Sequence, residues 1–237
     1  MTWSRRAVLV LAVALLATAL LLASTFSPSP TLEESTYGYS VSMDTNAMLS
    51  NVTMDVPLPV SETGQSGIVE AVRAGEVDAP TGWEVDVAGT VHGTMLRVTA
   101  DEVPAARRPD GNRYSTYLIG VSAPAADRID TAAPYGREPT IATEAGRTVR
   151  PCPNVADPDV EKTCYAFERR AYVAYDTPPN TAVSVYVVHN GVNTYVGPKR
   201  EMYYERMEFT LRGPQDGWVV AEGFASIDGA PSESVSE

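Results

Sequence analysis

Alternation of apolar and polar residues with a period of two most strongly constrains the fold of this chain. Between Met48 and Val60 the even positions are mostly apolar, whereas the odd positions include Asn51 and Asp55. A period of two puts alternate side chains on opposite faces of a strand, so this stretch predicts a half-buried β-strand. Pro57 and Pro59 cannot donate ladder hydrogen bonds, so the strand either ends there or runs along a sheet edge.

The same alternation recurs along most of the chain after residue 36. Further strands are predicted at 37–43, 83–87, 117–121, 165–175 and 207–211. About ten short strands separated by polar turns are typical of an antiparallel sandwich. The predicted fold class is therefore all-β, an antiparallel β-sandwich of the immunoglobulin-like kind.

Turn residues predict how some of these strands connect. Asn190-Gly191 between two Val-rich runs is a strong hairpin signal, because both residues tolerate positive φ. A second hairpin is predicted between Gly89 and Gly93. One short helix is predicted from Ile68 to Ala74, capped by Ser66 and ended by Gly75.

The first 25 residues predict export. Arg5 and Arg6 precede an uncharged apolar run from Ala7 to Ala23, followed by turn-forming Ser and Pro residues. Such a segment is either a signal peptide or a membrane-spanning signal anchor, and the arginines keep its N-terminus in the cytoplasm. The protein is then either secreted or held in the cell membrane by residues 7–23 as a single-pass protein. Both the Sec and the twin-arginine routes stay open.

The segments after the export signal divide by composition. Residues 26–36 are predicted to be a linker, 37–228 a β-sandwich domain and 229–237 a disordered tail. The Ala-, Pro- and Gly-rich stretch 123–151 has the weakest periodicity. It is predicted to be an ordered excursion from one domain, and it is the boundary if there are two domains.

Charge excludes one class of partner and indicates an unusual solvent. The chain has 30 acidic against 18 basic residues and a formal net charge of -12, which disfavours nucleic-acid binding. Only Lys162 and Lys199 are lysines, so arginine carries nearly all of the positive charge. A surface rich in carboxylates and poor in lysine favours a protein that stays soluble in concentrated salt.

Cys152 and Cys164 are the only cysteines, and an exported protein with an even number of them favours a disulfide. The loop between them offers hard oxygen ligands that suit Ca²⁺. The candidate ligands are Asn154, Asp157, Asp159 and Glu161. The alternative is an ordinary solvated acidic loop, since such clusters arise by composition in a chain this acidic.

Other candidate sites are few. Asn51-Val52-Thr53 is a glycosylation sequon. The two histidines, His92 and His189, are both predicted to be exposed hairpin residues, and no catalytic residue is predicted. Tyr203 and Tyr204 are candidates for an exposed partner or carbohydrate surface, with core packing as the alternative. Arg107-Arg108 and Arg169-Arg170 are predicted to be surface pairs.

Four segments carry a resemblance to a known group: 49–60, the Gly82-Trp83 strand start, the Cys152 to Cys164 loop and 213–218. Together they resemble exported proteins of halophilic archaea that have no assigned function, over most of the chain after residue 36. The resemblance implies export and a salty habitat. It implies no activity and no catalytic residue.

Two function classes follow. The first is a non-enzymatic surface, binding or accessory domain with an envelope or membrane-complex protein as its partner, supported by the export segment and the lack of catalytic motifs. The second is a secreted hydrolase that uses carboxylates, as glycosidases do. Two pairs are available for this role, Asp101 with Glu102 and Asp157 with Asp159. Adjacent strand residues point to opposite faces, which counts against Asp101 with Glu102 as a catalytic pair. A cation-dependent binding module is a further alternative.

Overall fold

The computed structural model describes residues 30–105, 115–152 and 162–228. Its contacts separate Met1–Thr31 from a second compact unit, Leu32–Glu237, which contains every element given below. Among the described residues, no helix has the length and apolar character needed to span a membrane. The predicted export segment, 1–25, and the predicted tail, 229–237, lie outside the described residues.

Strands dominate the described chain. They are β1 (Leu32–Thr45), β2 (Leu49–Pro57), β3 (Glu84–Thr90), β4 (Gly93–Val103), β5 (Ser115–Pro124), β6 (Arg147–Arg150), β7 (Lys162–Asp176), β8 (Ala182–Tyr195), β9 (Arg200–Arg212) and β10 (Gln215–Asp228). One helix, α1, spans Gly67–Arg73, and a single 3₁₀ turn spans Glu144–Gly146.

All ten strands join one antiparallel sheet, so the prediction of an all-β antiparallel fold is confirmed. The order across the sheet is β3-β4-β2-β7-β10-β9-β8-β1-β5. β6 lies off this path and pairs with β7, beyond the part of β7 that pairs with β2. Hydrogen bonding is therefore continuous from β3 to β5, and one curved sheet supplies the walls of the core.

The two edges of this sheet meet. Trp83, just before β3, stacks on Tyr117 of β5 with ring centroids 5.3 Å apart. Asp78 makes an antiparallel bridge to Gly120 in β5. Helix α1 packs against β3, β5 and β1, so it covers the place where the edge strands approach each other. The sheet thus encloses one apolar core along its inner face.

The predicted period of two sets which side chains enter this core. In β1 the residues Tyr37, Tyr39, Val41 and Met43 are all buried, as their spacing predicts. β2 ends at Pro57, which is the first of the two predicted alternatives. Pro57 has no N–H to donate, and it is the last residue of β2, although Leu58 N still donates to Thr94 O of β4 at 3.1 Å.

The predicted helix is confirmed with a shift of one residue. Ser66 is its N-cap, and the Ser66 hydroxyl accepts a hydrogen bond from Val69 N at 3.3 Å. Gly75 follows the helix at φ 76, a left-handed conformation that glycine adopts without strain. Ile68 and Val72 face the core.

One predicted hairpin is confirmed and the other is wrong. Thr90 pairs with Gly93, so β3 and β4 form the predicted hairpin with His92 in its turn. Asn190 and Gly191 instead lie inside β8, paired with both β1 and β9. The glycine serves packing rather than a turn, because a Cβ at position 191 would lie 2.3 Å from Cε1 of Tyr203.

The predicted disulfide joins Cys152 and Cys164, with Cα atoms 5.2 Å apart. It ties the chain just after β6 to β7, beside the pairing of Arg150 with Cys164. In the chain-entropy picture, such a crosslink stabilises the fold by restricting the unfolded chain.

Candidate functional site

The predicted ligand loop cannot be placed. Asn154, Asp157, Asp159 and Glu161 lie outside the described residues, so the Ca²⁺ site stays a prediction. Within the described part of the chain, no group of three or more His, Cys, Asp or Glu side chains is arranged to hold a metal ion.

Asn51 is exposed, as a glycosylation acceptor must be, and its modification stays a prediction. Its backbone has φ 53, where the pairing of β2 with β7 shifts register. The Asn51 amide donates to Asp176 Oδ2 at 2.8 Å, so the side chain is held against β7.

Polar side chains in the core serve a segment that contains no strand. Residues 125–146, which we call the covering segment, bury Ile129, Ile141 and Ala142 against the sheet. Buried backbone groups need hydrogen-bond partners, and this segment finds some in other backbone groups, as Thr140 does in Val60, and others in side chains. Asn193 of β8 does this twice, accepting from Ile129 N at 3.1 Å and donating to Ile129 O at 2.8 Å.

Glu205 of β9 is the charged member of this set. Its carboxylate is 1% exposed and accepts hydrogen bonds from Ile141 N at 2.7 Å and Ala142 N at 3.1 Å. Burial raises the Glu205 pKa to about 7, although these two donors and the charge of Arg169 oppose the shift. The side chain therefore titrates near neutrality while it holds the covering segment in place.

The prediction that His189 is an exposed turn residue is wrong, because His189 is fully buried in β8. Its Nδ1 lies 2.9 Å from Gly38 O and its Nε2 lies 2.8 Å from Pro139 O. Burial lowers the His189 pKa to about 4, although the hydrogen bonds to the two backbone carbonyls favour a higher pKa. The ring is therefore neutral at neutral pH and donates one hydrogen bond. Tyr203 also donates to Pro139 O, at 2.6 Å.

This buried network has a structural role. His189 and Glu205 are cross-strand neighbours on the inner face of β8 and β9. With exposures of 0% and 1%, neither can touch a molecule in solution. Tyr203, predicted as a candidate surface residue, is 1% exposed and belongs to this network, whereas Tyr204 is half-buried on the other face.

The outer face carries a different cluster, which we call the Trp218 patch. It consists of Tyr172, Trp218, Val220 and His92. Trp218 pairs with Tyr172 across β10 and β7, with ring centroids 5.6 Å apart. His92, at the tip of the β3–β4 hairpin, meets the Trp218 ring edge-on at 4.4 Å. Trp218 is 36% and Val220 is 50% exposed, so these apolar side chains face solvent.

Polar contacts fix the rim of the Trp218 patch. The Tyr172 hydroxyl donates to Asp216 Oδ1 at 2.8 Å. Asp55 is cross-strand to both Tyr172 and Arg97, and the Arg97 guanidinium donates to both Asp55 oxygens at 2.7 Å. Such two-point pairs hold their geometry well. The aromatic rings are thus presented by strands with defined neighbours rather than by a loop.

Of the carboxylates considered for a hydrolase, Asp101 and Glu102 are exposed, and Asp157 and Asp159 lie outside the described residues. Asp101 and Glu102 follow each other in β4, and Asp101 shares a surface depression of about 290 Å³ with Glu84 and Asn51. A glycosidase acid works where water is excluded. Glu84 and Asp101 are both solvent-exposed, so the arrangement offers no such environment.

Comparison with protein-family models, with curated proteins and with solved structures gives no match in any of the three. Function must therefore be argued from the surfaces of the chain itself. The Trp218 patch is distinctive among these, because rings from β7, β10 and the tip of the β3–β4 hairpin meet there on the outer face.

Proposed function

We propose that this protein is an extracytoplasmic binding or accessory domain that holds a protein partner against the Trp218 patch. The export segment at 1–25 would place the domain outside the cytoplasm, anchored by residues 7–23 or released after cleavage. The single observation that carries the proposal is the exposed Trp218, set between Tyr172 and His92.

Aromatic side chains on a rigid sheet suit protein binding. Trp and Tyr are enriched among the residues that dominate binding energy, since they bury much area and lose little conformational freedom. Val91, next to His92 at the hairpin tip, is 91% exposed and extends the apolar surface. A partner that covered these side chains would remove them from water.

A salty environment strengthens this choice of surface. The acidic, lysine-poor composition supports a halophilic habitat as part of the proposal. At about 1 M salt the Debye length is roughly 3 Å, so contacts between exposed charges contribute little. Burial of apolar surface is not screened in this way, and a partner would be held mainly by apolar contacts.

The test is recovery of a partner by the full-length protein from its native membranes, extracted with mild detergent in high salt. We expect a stoichiometric companion protein that Trp218→Ala loses. Tyr186→Ala is the matched control, because Tyr186 is 38% exposed on the outer face of β8, outside the Trp218 patch. Recovery of no companion contradicts the proposal, as does a companion that both variants keep or both lose.

The immunoglobulin-like form of the sandwich belongs to the same proposal. The curved antiparallel sheet supports it, since its inner face closes around one core as the two sheets of a sandwich do. Neither the hydrolase nor the cation-dependent alternative is favoured by a specific contact of the described residues.

A further inference from the structure

A gap in the sheet lies along β7. β2 pairs with β7 between Tyr172 and Asp176, and β6 pairs with β7 between Cys164 and Phe167. Between these two pairings, residues 168–171 have β10 on one side and no described strand on the other. A pocket of about 240 Å³ lies at this part of β7. It is lined by His92, Glu168, Arg169, Arg170 and Val220.

Arg169 occupies an unusual position in this pocket. Odd-numbered residues of β7 face the core, and Arg169 is half-buried between Phe167 and Ala171. Gly93 of the hairpin lies against its guanidinium, because a Cβ on Gly93 would be 3.8 Å from Arg169 Nη2. The side chain is therefore confined between β7 and the hairpin tip.

Among the described residues Arg169 has neither an ion pair nor a hydrogen bond, and the negative charge of the buried Glu205 acts on it without such a contact. Burial lowers the pKa of Arg169, and the negative charge of Glu205 only partly opposes this. Charged groups that leave water are normally paired. A half-buried guanidinium that makes no hydrogen bond within the described chain has donors available for a ligand from outside it.

The charged side chains that line the pocket are mostly basic, whereas Glu222, cross-strand to Glu168, brings a further carboxylate next to it. Arg169 and Arg170 outnumber the single carboxylate of the lining, Glu168, on a chain whose net charge is -12. The planar guanidinium matches the two oxygens of a carboxylate. We propose that this pocket binds a carboxylate, with Arg169 as its principal donor and Val220 beside the apolar part of the ligand.

The inference does not depend on the protein partner proposed above, because a small carboxylate can test it directly. Propionate is the probe, since its short tail suits the Val220 wall. Sodium propionate replaces sodium chloride at constant sodium concentration near neutral pH, using the full-length protein. Binding is followed by the Arg169 Nε–Hε resonance and by calorimetry.

We expect saturable binding that Arg169→Gln weakens by about tenfold or more, the loss of one charge-assisted hydrogen-bonded contact. Arg212→Gln is the matched control, because Arg212 is exposed on β9 and outside the pocket. Its affinity for propionate should equal that of the wild type. Equal affinity in Arg169→Gln, or a response that does not saturate, would overturn the proposal.

A structural role for Arg169 would give a different result. Without propionate, Arg169→Gln should melt close to the wild type, because removing a half-buried charge offsets the loss of its attraction to Glu205. A clear decrease in melting temperature would assign Arg169 to the support of the hairpin and count against a ligand site. Arg169→Lys, which keeps the charge but not the planar donor pair, should also bind propionate more weakly.

Discussion

Four polar side chains inside the core, those of Asn193, Glu205, His189 and Tyr203, serve backbone groups of the covering segment. Asn193 holds Ile129, Glu205 holds Ile141 and Ala142, and His189 with Tyr203 holds Pro139. A segment that packs on a sheet without becoming one of its strands leaves buried backbone groups outside the ladders, and here side chains satisfy several of them. Polar residues at these core positions are therefore explained by the backbone groups of the covering segment that they bind.

Glu205 and His189 affect stability with opposite signs as pH changes. The Glu205 pKa rises from 4.5 to about 7 on folding, so its contribution to stability falls as pH rises between these values. The His189 pKa falls from 6.5 to about 4, so its contribution increases as pH rises through that range. The two effects oppose each other over most of the mildly acidic range.

The substitution Glu205→Gln separates the pH effect of Glu205 from that of His189. Gln cannot titrate, so the variant should gain free energy of unfolding relative to the wild type as pH rises from 4.5 to about 7. The gain is at most about 3 kcal/mol, from the size of the shift. Denaturant titrations across this pH range measure it. Glu84→Gln, at an exposed position, is the control. A pH-independent difference for Glu205→Gln would show that Glu205 does not titrate as described.

At the scale of whole strands, the outer face brings three like charges into one row. Glu208, Glu222 and Glu168 are direct cross-strand neighbours on β9, β10 and β7. All three are exposed, and within the described residues none has an ion-pair partner. Like charges directly opposite each other destabilise a sheet. Concentrated salt would screen this repulsion, which accords with the proposed habitat.

Glu222→Gln tests this reasoning, because it removes the central charge and both repulsive pairs. We expect the free energy of unfolding to rise by about 0.5 to 1 kcal/mol at low salt and to change little at about 1 M salt. Glu102→Gln is the control, since Glu102 is exposed but opposite Ser50. Chemical denaturation at several salt concentrations measures both. Equal effects of the two substitutions at low salt would contradict a special role for the row.

Local chemistry was sufficient to predict some elements and not others. The α1 helix and the β3–β4 hairpin follow from caps and turn residues that act within a few positions. Asn190-Gly191 carries an equally good turn signal, but β8 has β1 and β9 on its two sides and continues through it. The decisive contact, Gly191 against Tyr203, joins different strands and cannot be read from neighbouring residues.

The same limit explains the candidate sites. The burial of His189 was missed because a turn was predicted at Asn190-Gly191, whereas β8 continues through that position with a neighbouring strand on each side. Arg169 was predicted to be a surface residue, although the odd-numbered alternation of β7 already placed it on the inner face. The Trp218 patch depends on the register of β7 with β10 and on where the hairpin tip lies. Register of this kind is set by the whole sheet, not by local sequence.

At the scale of the whole molecule, closing the sheet matters more than any single strand. Strand pairing leaves β3 and β5 as edges, and unprotected edges invite pairing with other chains. Here the edges meet through Trp83 and Tyr117, through the bridge of Asp78 to Gly120 and under helix α1. Contacts far apart in sequence thereby unite the first and second halves of the sheet around one core.

Two tryptophans with different positions distinguish closure from surface recognition. Trp83 packs against the core at the meeting of the edges, so Trp83→Ala should lower the free energy of unfolding by about 2 kcal/mol or more. Trp218 lies on the outer face, and Trp218→Ala should change stability by only about 0.5 kcal/mol. Guanidinium denaturation followed by circular dichroism measures both. A large loss of stability in Trp218→Ala would mean that the Trp218 patch supports the fold, and its exposure would no longer indicate a partner.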